Sequence, residues 1–487
     1  MTDELIREPM SKVDTAWLRM EQPTNLMMIN GVIIMDENLE YENLLKTIEQ
    51  RFLTFRRFRQ KVLDTARGAY WVIDEDFDIH CHVRRTALPG AADRAELELL
   101  VSQLASTPLD TSKPLWQLYL VENYVDGPVI LTRIHHCIAD GIALVQVFLS
   151  LTDPTPEGRP SARKPDVWKK RRADESRVFQ RLLDPAREGL DFATHLGSRL
   201  IKEGSKMLEN PAIASNYAME AGEIVRELAH SLTLENDPVT RFKGRLSTRK
   251  RVAWAEPLDL NEVKAVSKAF GCTVNDVLIA AVTGALRQYM ISVGDEPEEL
   301  QDIRATVPVN LRPLEHAQEL GNHFGLVFLS LPLGMDNPLE RLYAVNDRMN
   351  ELKSSKQAAV TLGFLAALGM GPSAVQKPVL DILSQKATAV LTNVPGPQRP
   401  LYLAGSEMKE MMFWVPQNGN IGLGISILSY NGKVFFGLIS DHRLLAEPSA
   451  VIYRFKKEFE KLLYLGMMLP LEGRPSVQAA KNLLDNS

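Results

Sequence analysis

The stretch Arg133-Ile134-His135-His136-Cys137-Ile138-Ala139-Asp140-Gly141 puts two imidazoles, a thiol and a carboxylate within nine positions. It follows an apolar strand pattern and precedes an apolar helix pattern that starts near Ile142. Adjacent strand residues point to opposite faces, so His135 and His136 should meet different surroundings, one entering a cleft while the other packs. A neutral imidazole, with a free pKa of about 6.5, suits general base work near neutral pH. It could take the proton of an alcohol as that oxygen attacks a thioester, provided a hydrogen bond to its other nitrogen fixes the tautomer. Asp140 opens a turn closed by Gly141. A carboxylate there ordinarily holds backbone N–H groups, and pairing with an arginine is the alternative. The plain competing reading is that both histidines only pack or lie at the surface.

Other chemistries find less support. His80-Cys81-His82 would place two histidines on one strand face, but no third ligand is near, so an ordinary strand is expected and no metal site. Ser426, in Gly424-Ile425-Ser426-Ile427-Leu428, lacks the second glycine of a nucleophile elbow. There is no Walker loop and no dinucleotide-binding glycine fingerprint. The three cysteines, Cys81, Cys137 and Cys272, form no disulfide framework and suggest a reducing compartment. A formal charge of −5 gives no reason to expect nucleic acid. The acidic start Met1-Thr2-Asp3-Glu4-Leu5 does not read as a signal peptide. The most apolar run, Ala358 to Gly371, is 14 residues and stops at Pro372. A spanning helix needs about 20, so no transmembrane segment is expected.

The elements that must position the histidines follow from periodicity. Helices are expected over Leu44–Phe58 and Ala95–Ser106, and strands over Leu118–Val121 and Val129–Ile134, turned by Asp126-Gly127-Pro128. Proline-rich residues 153–160 read as a linker. Residues 161–185 carry eight Lys/Arg against four Asp/Glu, and a helical pattern runs from about 175 to 232, with Phe192, Leu196 and Leu200 on one face. Further helices are expected over Leu258–Phe270 and Asn275–Met290, the second capped by Thr273. Strands are expected over Ile303–Val309, Gly325–Leu331, Ala389–Leu391, Gly422–Leu428 and Lys433–Ile439, the last two joined at Asn431-Gly432. This mixture predicts an α/β or α+β fold with mixed sheets. The expected division is an N-terminal domain over 1–151, a linker and helical connection over 152–247, a C-terminal domain over 248–470 and a tail over 471–487.

The histidine stretch resembles the His-His-x-x-x-Asp-Gly motif of the coenzyme A-dependent acyltransferase superfamily, which peptide-synthetase condensation domains and plant alcohol acyltransferases share. Further segments are similar to those of the bacterial wax ester synthase/diacylglycerol acyltransferase family. They are Asp14-Thr15-Ala16-Trp17 with Glu21-Gln22-Pro23-Thr24, Pro114-Leu115-Trp116, Asn275-Asp276, Arg304 to Arg312, Leu320-Gly321-Asn322-His323-Phe324-Gly325 and Leu391-Thr392-Asn393-Val394-Pro395-Gly396-Pro397. The resemblance spans roughly residues 11–460 in the family's order. It implies two chloramphenicol acetyltransferase-like domains with a channel at their interface. It implies that His136 is the base, that acyl-CoA is a substrate with no cofactor, and that the acceptor is a long-chain alcohol or diacylglycerol. Within it, Trp116 reads as a core anchor and Asp276 as an acidic residue suited to a helix N-terminus. Asn275 either bonds backbone or also contacts substrate. Thr392 or Asn393 is a candidate oxyanion donor, a role often worth about 3 kcal/mol. Arg304 and Arg312 are candidates to pair with Asp140. Pro395 and Gly396 read as turn residues.

Apolar acceptors and products imply contact with lipid, so a cytoplasmic protein peripheral to the inner membrane face or lipid inclusions is expected. The basic run Lys169-Lys170-Arg171-Arg172 and the helices after it are the candidate surface, against a solvated connector as the alternative. Three rival functions remain: the same fold with another alcohol or an amine as acceptor, a non-catalytic lipid-binding scaffold, and a condensation-type module that needs a carrier protein. Chain-length preference, the wax ester to triacylglycerol balance and the oligomeric state are not legible.

Overall fold

In Trp116–Val121 alternate residues face the core, and the strand pairs antiparallel with Val129–His135, Trp116 lying opposite Ile134. On its other edge Val129–His135 pairs with Met28–Met35, whose residues are all buried and whose Met28 lies opposite His135. A strand buried on both faces belongs in the middle of a sheet. The computed structural model describes residues 7–65, 68–158, 235–310, 322, 324–354, 361 and 384–468.

Two seven-stranded sheets carry the fold. The first runs Val83–Thr86, Trp116–Val121, Val129–His135, Met28–Met35, Ser406–Trp414, Tyr402–Leu403, Thr152–Asp153. The second runs Leu258–Asp259, Lys433–Asp441, Leu423–Tyr430, Ala389–Pro395, Ile303–Asn310, Phe324–Leu331, with Lys250–Trp254 also paired to Lys433–Asp441. Ala389–Pro395 is parallel to both neighbours while the other pairs of this sheet are antiparallel. The architecture is therefore α/β with mixed sheets.

The second sheet is covered by Leu260–Phe270, Val274–Ser292 and Ser449–Met468, and Pro338–Ser354 packs on Val274–Ser292. Thr273 closes a capping box with Asp276, which starts the apolar helix Val274–Ser292 where the sequence places it. Asn431 and Gly432, both at positive φ, turn Leu423–Tyr430 into Lys433–Asp441 as a hairpin.

Tyr402–Leu403 and Ser406–Trp414, from the stretch expected over 248–470, pair into the first sheet. Several expected elements are corrected. The helix expected over Leu44–Phe58 is Tyr41–Gln50 followed by two single turns, Phe52–Thr54 and Arg56–Arg59. These turns carry Phe52 and Phe58 against Trp116. Leu258–Asp259 is a short strand, and the Asp259 side chain caps a helix that begins at Leu260. His80-Cys81-His82 lies in a helical turn, Ile79–His82, capped by Asp78, and not in a strand. The basic run and helices expected over 161–232, Arg312 and the tail lie outside the described residues.

The two halves are joined by a buried cation. The Lys250 ammonium donates to Asn25 Oδ1 at 2.7 Å and to Asp441 Oδ2 at 3.3 Å. The Asn25 amide in turn reaches the carbonyls of Gly419 and Ile421. Burial holds the Lys250 pKa below the usual lysine range, against the opposing charge of Asp441.

Candidate active site

Strand Val129–His135 ends at the first histidine, and helix Gly141–Leu151 begins five residues after the second. Both imidazoles are buried, and they are held differently. His135 Nδ1 accepts the Cys137 N–H at 3.1 Å, while its Nε2 lies 3.1 Å from Glu21 Oε2. An Nδ1 that accepts leaves the proton on Nε2, which therefore donates to Glu21. Glu21 also accepts the Met27 N–H. Burial raises the Glu21 pKa, but the His135 bond and charge with the Met27 amide bring it below the ordinary value. With both ring nitrogens occupied by protein, His135 acts as a buttress.

His136 is fixed through its backbone. Its N–H donates to Met27 O at 2.7 Å, and its carbonyl accepts from Asn322 Nδ2 at 2.8 Å. Trp17 stacks on the imidazole, with ring centroids 4.2 Å apart and planes 20° apart. Phe324 lies 5.5 Å from both rings. Nδ1 is buried without a hydrogen-bond partner of ordinary geometry. Burial pushes the ring pKa down to about 4, opposed by the charge of Asp140, the residue's own carbonyl and Asn322, and aided by His135. The ring is thus neutral across the physiological range.

Asp140 is the N-cap of Gly141–Leu151, its Oδ1 accepting the Ala143 N–H at 2.8 Å. A side chain added at Gly141 would meet no atom of the described residues within 4 Å, so among them open space borders the start of this helix. The Cys137 thiol is buried, and burial holds its pKa well above the ordinary range, which leaves no thiolate to act as nucleophile. A cavity of about 930 Å³ runs past Glu21 between Arg19, Leu26, Asp64 and Thr111. It reaches the carboxylate behind His135, and His136 is not in its lining.

The wax ester synthase/diacylglycerol acyltransferase catalytic domain matches residues 10–278, and the C-terminal domain of the same family matches residues 320–463. The chain belongs to this acyltransferase family. A probable diacylglycerol O-acyltransferase of Mycobacterium tuberculosis is 28% identical over 424 residues, covering 84% of this chain and 85% of its own. A putative diacylglycerol O-acyltransferase of Mycobacterium bovis is 30% identical over 477 residues, covering 93% and 98%. In fold, the chain is similar to the wax ester synthase/diacylglycerol acyltransferase of Marinobacter aquaeolei VT8, with a TM-score of 0.64, 22% identity, and coverage of 94% of this chain and 100% of that one. The first condensation domain of the calcium-dependent antibiotic synthetase gives a TM-score of 0.57 at 14% identity, covering 97% and 98%.

The other motif segments of this acyltransferase sort by position. Trp116 is fully buried and donates from its indole to Phe58 O at 2.8 Å, stacked on His82. The Leu115 carbonyl accepts the His135 N–H at 3.0 Å, so Pro114-Leu115-Trp116 braces the histidine strand. Asn275 Oδ1 accepts from Asn393 Nδ2 at 2.6 Å, and Asp276 accepts from Asn346. The Thr392 hydroxyl points into the second sheet, toward Ile425 O and Ser426 Oγ. Among the described residues, the hydrogen bonds and ring contacts of His136 go to Trp17, Met27, Asn322 and Phe324, and not to Asn275, Thr392 or Asn393. Arg304 is directed to Asp237 and the carbonyls of Glu235 and Lys386, not to Asp140. Gly396 follows Pro395 where a Cβ would stand 2.4 Å from Ser429 O, so only glycine fits. His82 is buried and bonded to Trp116 O, while His80 lies near the Tyr41 hydroxyl, so the two diverge. Among the described residues no group of three or more His, Cys, Asp or Glu is placed to hold a metal, and no single helix is long and apolar enough to cross a membrane.

The sequence reading assigned no role to Asp14, Trp17, Glu21, Asn322 or Phe324, although it quoted them as motif residues. The usable signal was Asp14 and Trp17 three apart on one helix face, Lys12–Arg19.

Proposed function

We propose that this acyltransferase moves a long-chain acyl group from acyl-CoA directly to the hydroxyl of a long-chain alcohol or a diacylglycerol, with His136 Nε2 as general base. One observation carries this reading. His136 is a buried, neutral imidazole whose backbone is held by Met27 on one side and Asn322 on the other. Nε2 takes the hydroxyl proton as the oxygen attacks the thioester carbonyl. The carbon–sulfur bond breaks, and the imidazolium gives its proton to the leaving thiolate, yielding an ester and free CoA thiol. The burial that weakens the base makes its conjugate acid strong, which favours that second transfer. Open space at Gly141 is consistent with room for a reacting chain beside the ring. The mycobacterial relatives, named for diacylglycerol acyl transfer, support this acceptor class.

In this reading the substrates meet in a channel between the halves, no cofactor takes part, and apolar products require peripheral contact with a membrane or lipid inclusion on the cytoplasmic side. The test is thin-layer analysis with labelled palmitoyl-CoA, offering hexadecanol or dioleoylglycerol to the purified protein. Ester should form together with free thiol. His136→Ala should remain folded and form none. Ester production by that variant at the wild-type rate would overturn the assignment.

A further inference from the structure

Two buried polar atoms beside the base lack partners: His136 Nδ1 and Asn322 Oδ1. The orientation of the Asn322 amide follows from its neighbours. Its nitrogen lies 2.7 Å from Asp14 Oδ1 and 2.8 Å from the His136 carbonyl, and both of those atoms are acceptors. Only the amide nitrogen can donate to them, so the carboxamide oxygen is the free end. The Asn322 backbone N–H also donates to Asp14 Oδ1, at 3.1 Å. The carboxylate of the first half therefore grips Asn322 of the second half twice, and Asn322 passes that grip to the backbone of the base.

We propose that Asn322 is the positioning residue that keeps the proton of His136 on Nδ1 and so leaves Nε2 free to act as base. The inference rests on the reading of His136 given above. Asn322 is the polar side chain bonded to this residue: its Nδ2 holds the His136 carbonyl at 2.8 Å, and its carboxamide oxygen is buried and unpaired, as is the ring's Nδ1. Asn322 and the residue's own backbone both raise the ring pKa against the larger effect of burial. Asp140 Oδ1 is committed to the Ala143 amide at the start of the next helix. His135 is ruled out because both its nitrogens are engaged. Trp17, from the helix that also carries Asp14, stacks on one face of the ring.

The experiment is nitrogen NMR of the full-length protein labelled with ¹⁵N-histidine, His136 being assigned by its loss in His136→Ala, combined with steady-state kinetics. Wild type should show His136 protonated at Nδ1. Asn322→Ala should populate the Nε2–H tautomer and lower kcat by at least about tenfold, with KM for both substrates changed by less than about threefold, since a wrong tautomer removes the base and leaves binding contacts. Asp14→Asn/Asn322→Asp restores a donor–acceptor pair between the two side chains, gives up the donor to the His136 carbonyl and keeps a carboxyl oxygen at 322; it should keep the Nδ1–H tautomer, which covers the case in which Asn322→Ala fails to fold. An Nε2–H ring in wild type, an unchanged tautomer in Asn322→Ala, or an Nε2–H ring in the folded exchange variant would each overturn the proposal. Activity of His136→Ala alongside the expected tautomer shift would instead overturn the base assignment and leave the role of Asn322 standing.

Discussion

The burial of His136 ties acid sensitivity of the fold to the same ring that is read as the base. In the unfolded chain its pKa is about 6.5, and in the fold it is about 4. Between those values the unfolded chain binds the proton and the native state does not, so stability falls as pH falls through this window. Above about pH 7.5 both states are neutral and the ring contributes almost no pH dependence. Going from pH 7.5 to 5.5, this one group should cost about 1.3 kcal/mol of unfolding free energy, from the ratio of the two binding polynomials. His136→Gln removes the titration and leaves the other ionisable groups in place. Urea unfolding of both proteins at the two pH values isolates the ring: wild type should lose about 1.3 kcal/mol more than the variant on acidification. The rate should stay flat from pH 8 to 6, because the base is already neutral there. Equal acid sensitivity of the two proteins, or a rising rate limb centred near 6.5, would show an ordinary solvated histidine and sink the argument from burial.

Cys137→Ala should keep turnover within about twofold, and native Cys137 should resist iodoacetamide until the protein unfolds, because a buried thiol holds its proton; mass spectrometry of the alkylated peptide checks this. Gly396→Ala should destabilise by about 1–3 kcal/mol in chemical unfolding, since the new methyl meets Ser429 O at 2.4 Å. Arg341→Met should cost about 1–3 kcal/mol, since buried Glu458 loses its Oε2 partner while Lys461 still holds Oε1; unfolding midpoints of the wild type and the variant decide.

What could be read from the chain was local. The hairpin of Trp116–Val121 and Val129–His135, the Thr273 cap and the Asn431-Gly432 turn each depend on residues within a few positions of one another, and each lies where its pattern puts it. The helix misread over Leu44–Phe58 shows the limit. Phe52, Phe55 and Phe58 keep a helical spacing, but packing around Trp116 breaks the helix into single turns. Ser406–Trp414 was missed altogether, because Lys409-Glu410-Met411-Met412 does not alternate and the strand carries a bulge where it meets Met28–Met35. Its partner lies in the other half of the chain, and no window of sequence contains both.

The same divide runs through the site. The histidine turn is local, so its place between strand and helix was legible. What holds the ring is not local: Asn322 reaches back 308 positions to Asp14 and 186 positions to the His136 carbonyl. An asparagine at such a distance has no periodic or spacing signature, and its amide is readable only once two acceptors stand beside it. Asp140, four residues from His136, reads from sequence as a turn carboxylate that holds backbone N–H groups. Its carboxylate serves the helix N-terminus, as short-range chemistry predicts for that residue type. Local rules therefore locate the imidazole, while its burial and its fixed carbonyl arise only where the two halves of the chain close on each other. In this fold the docking of the halves and the setting of the proposed base are one structural event.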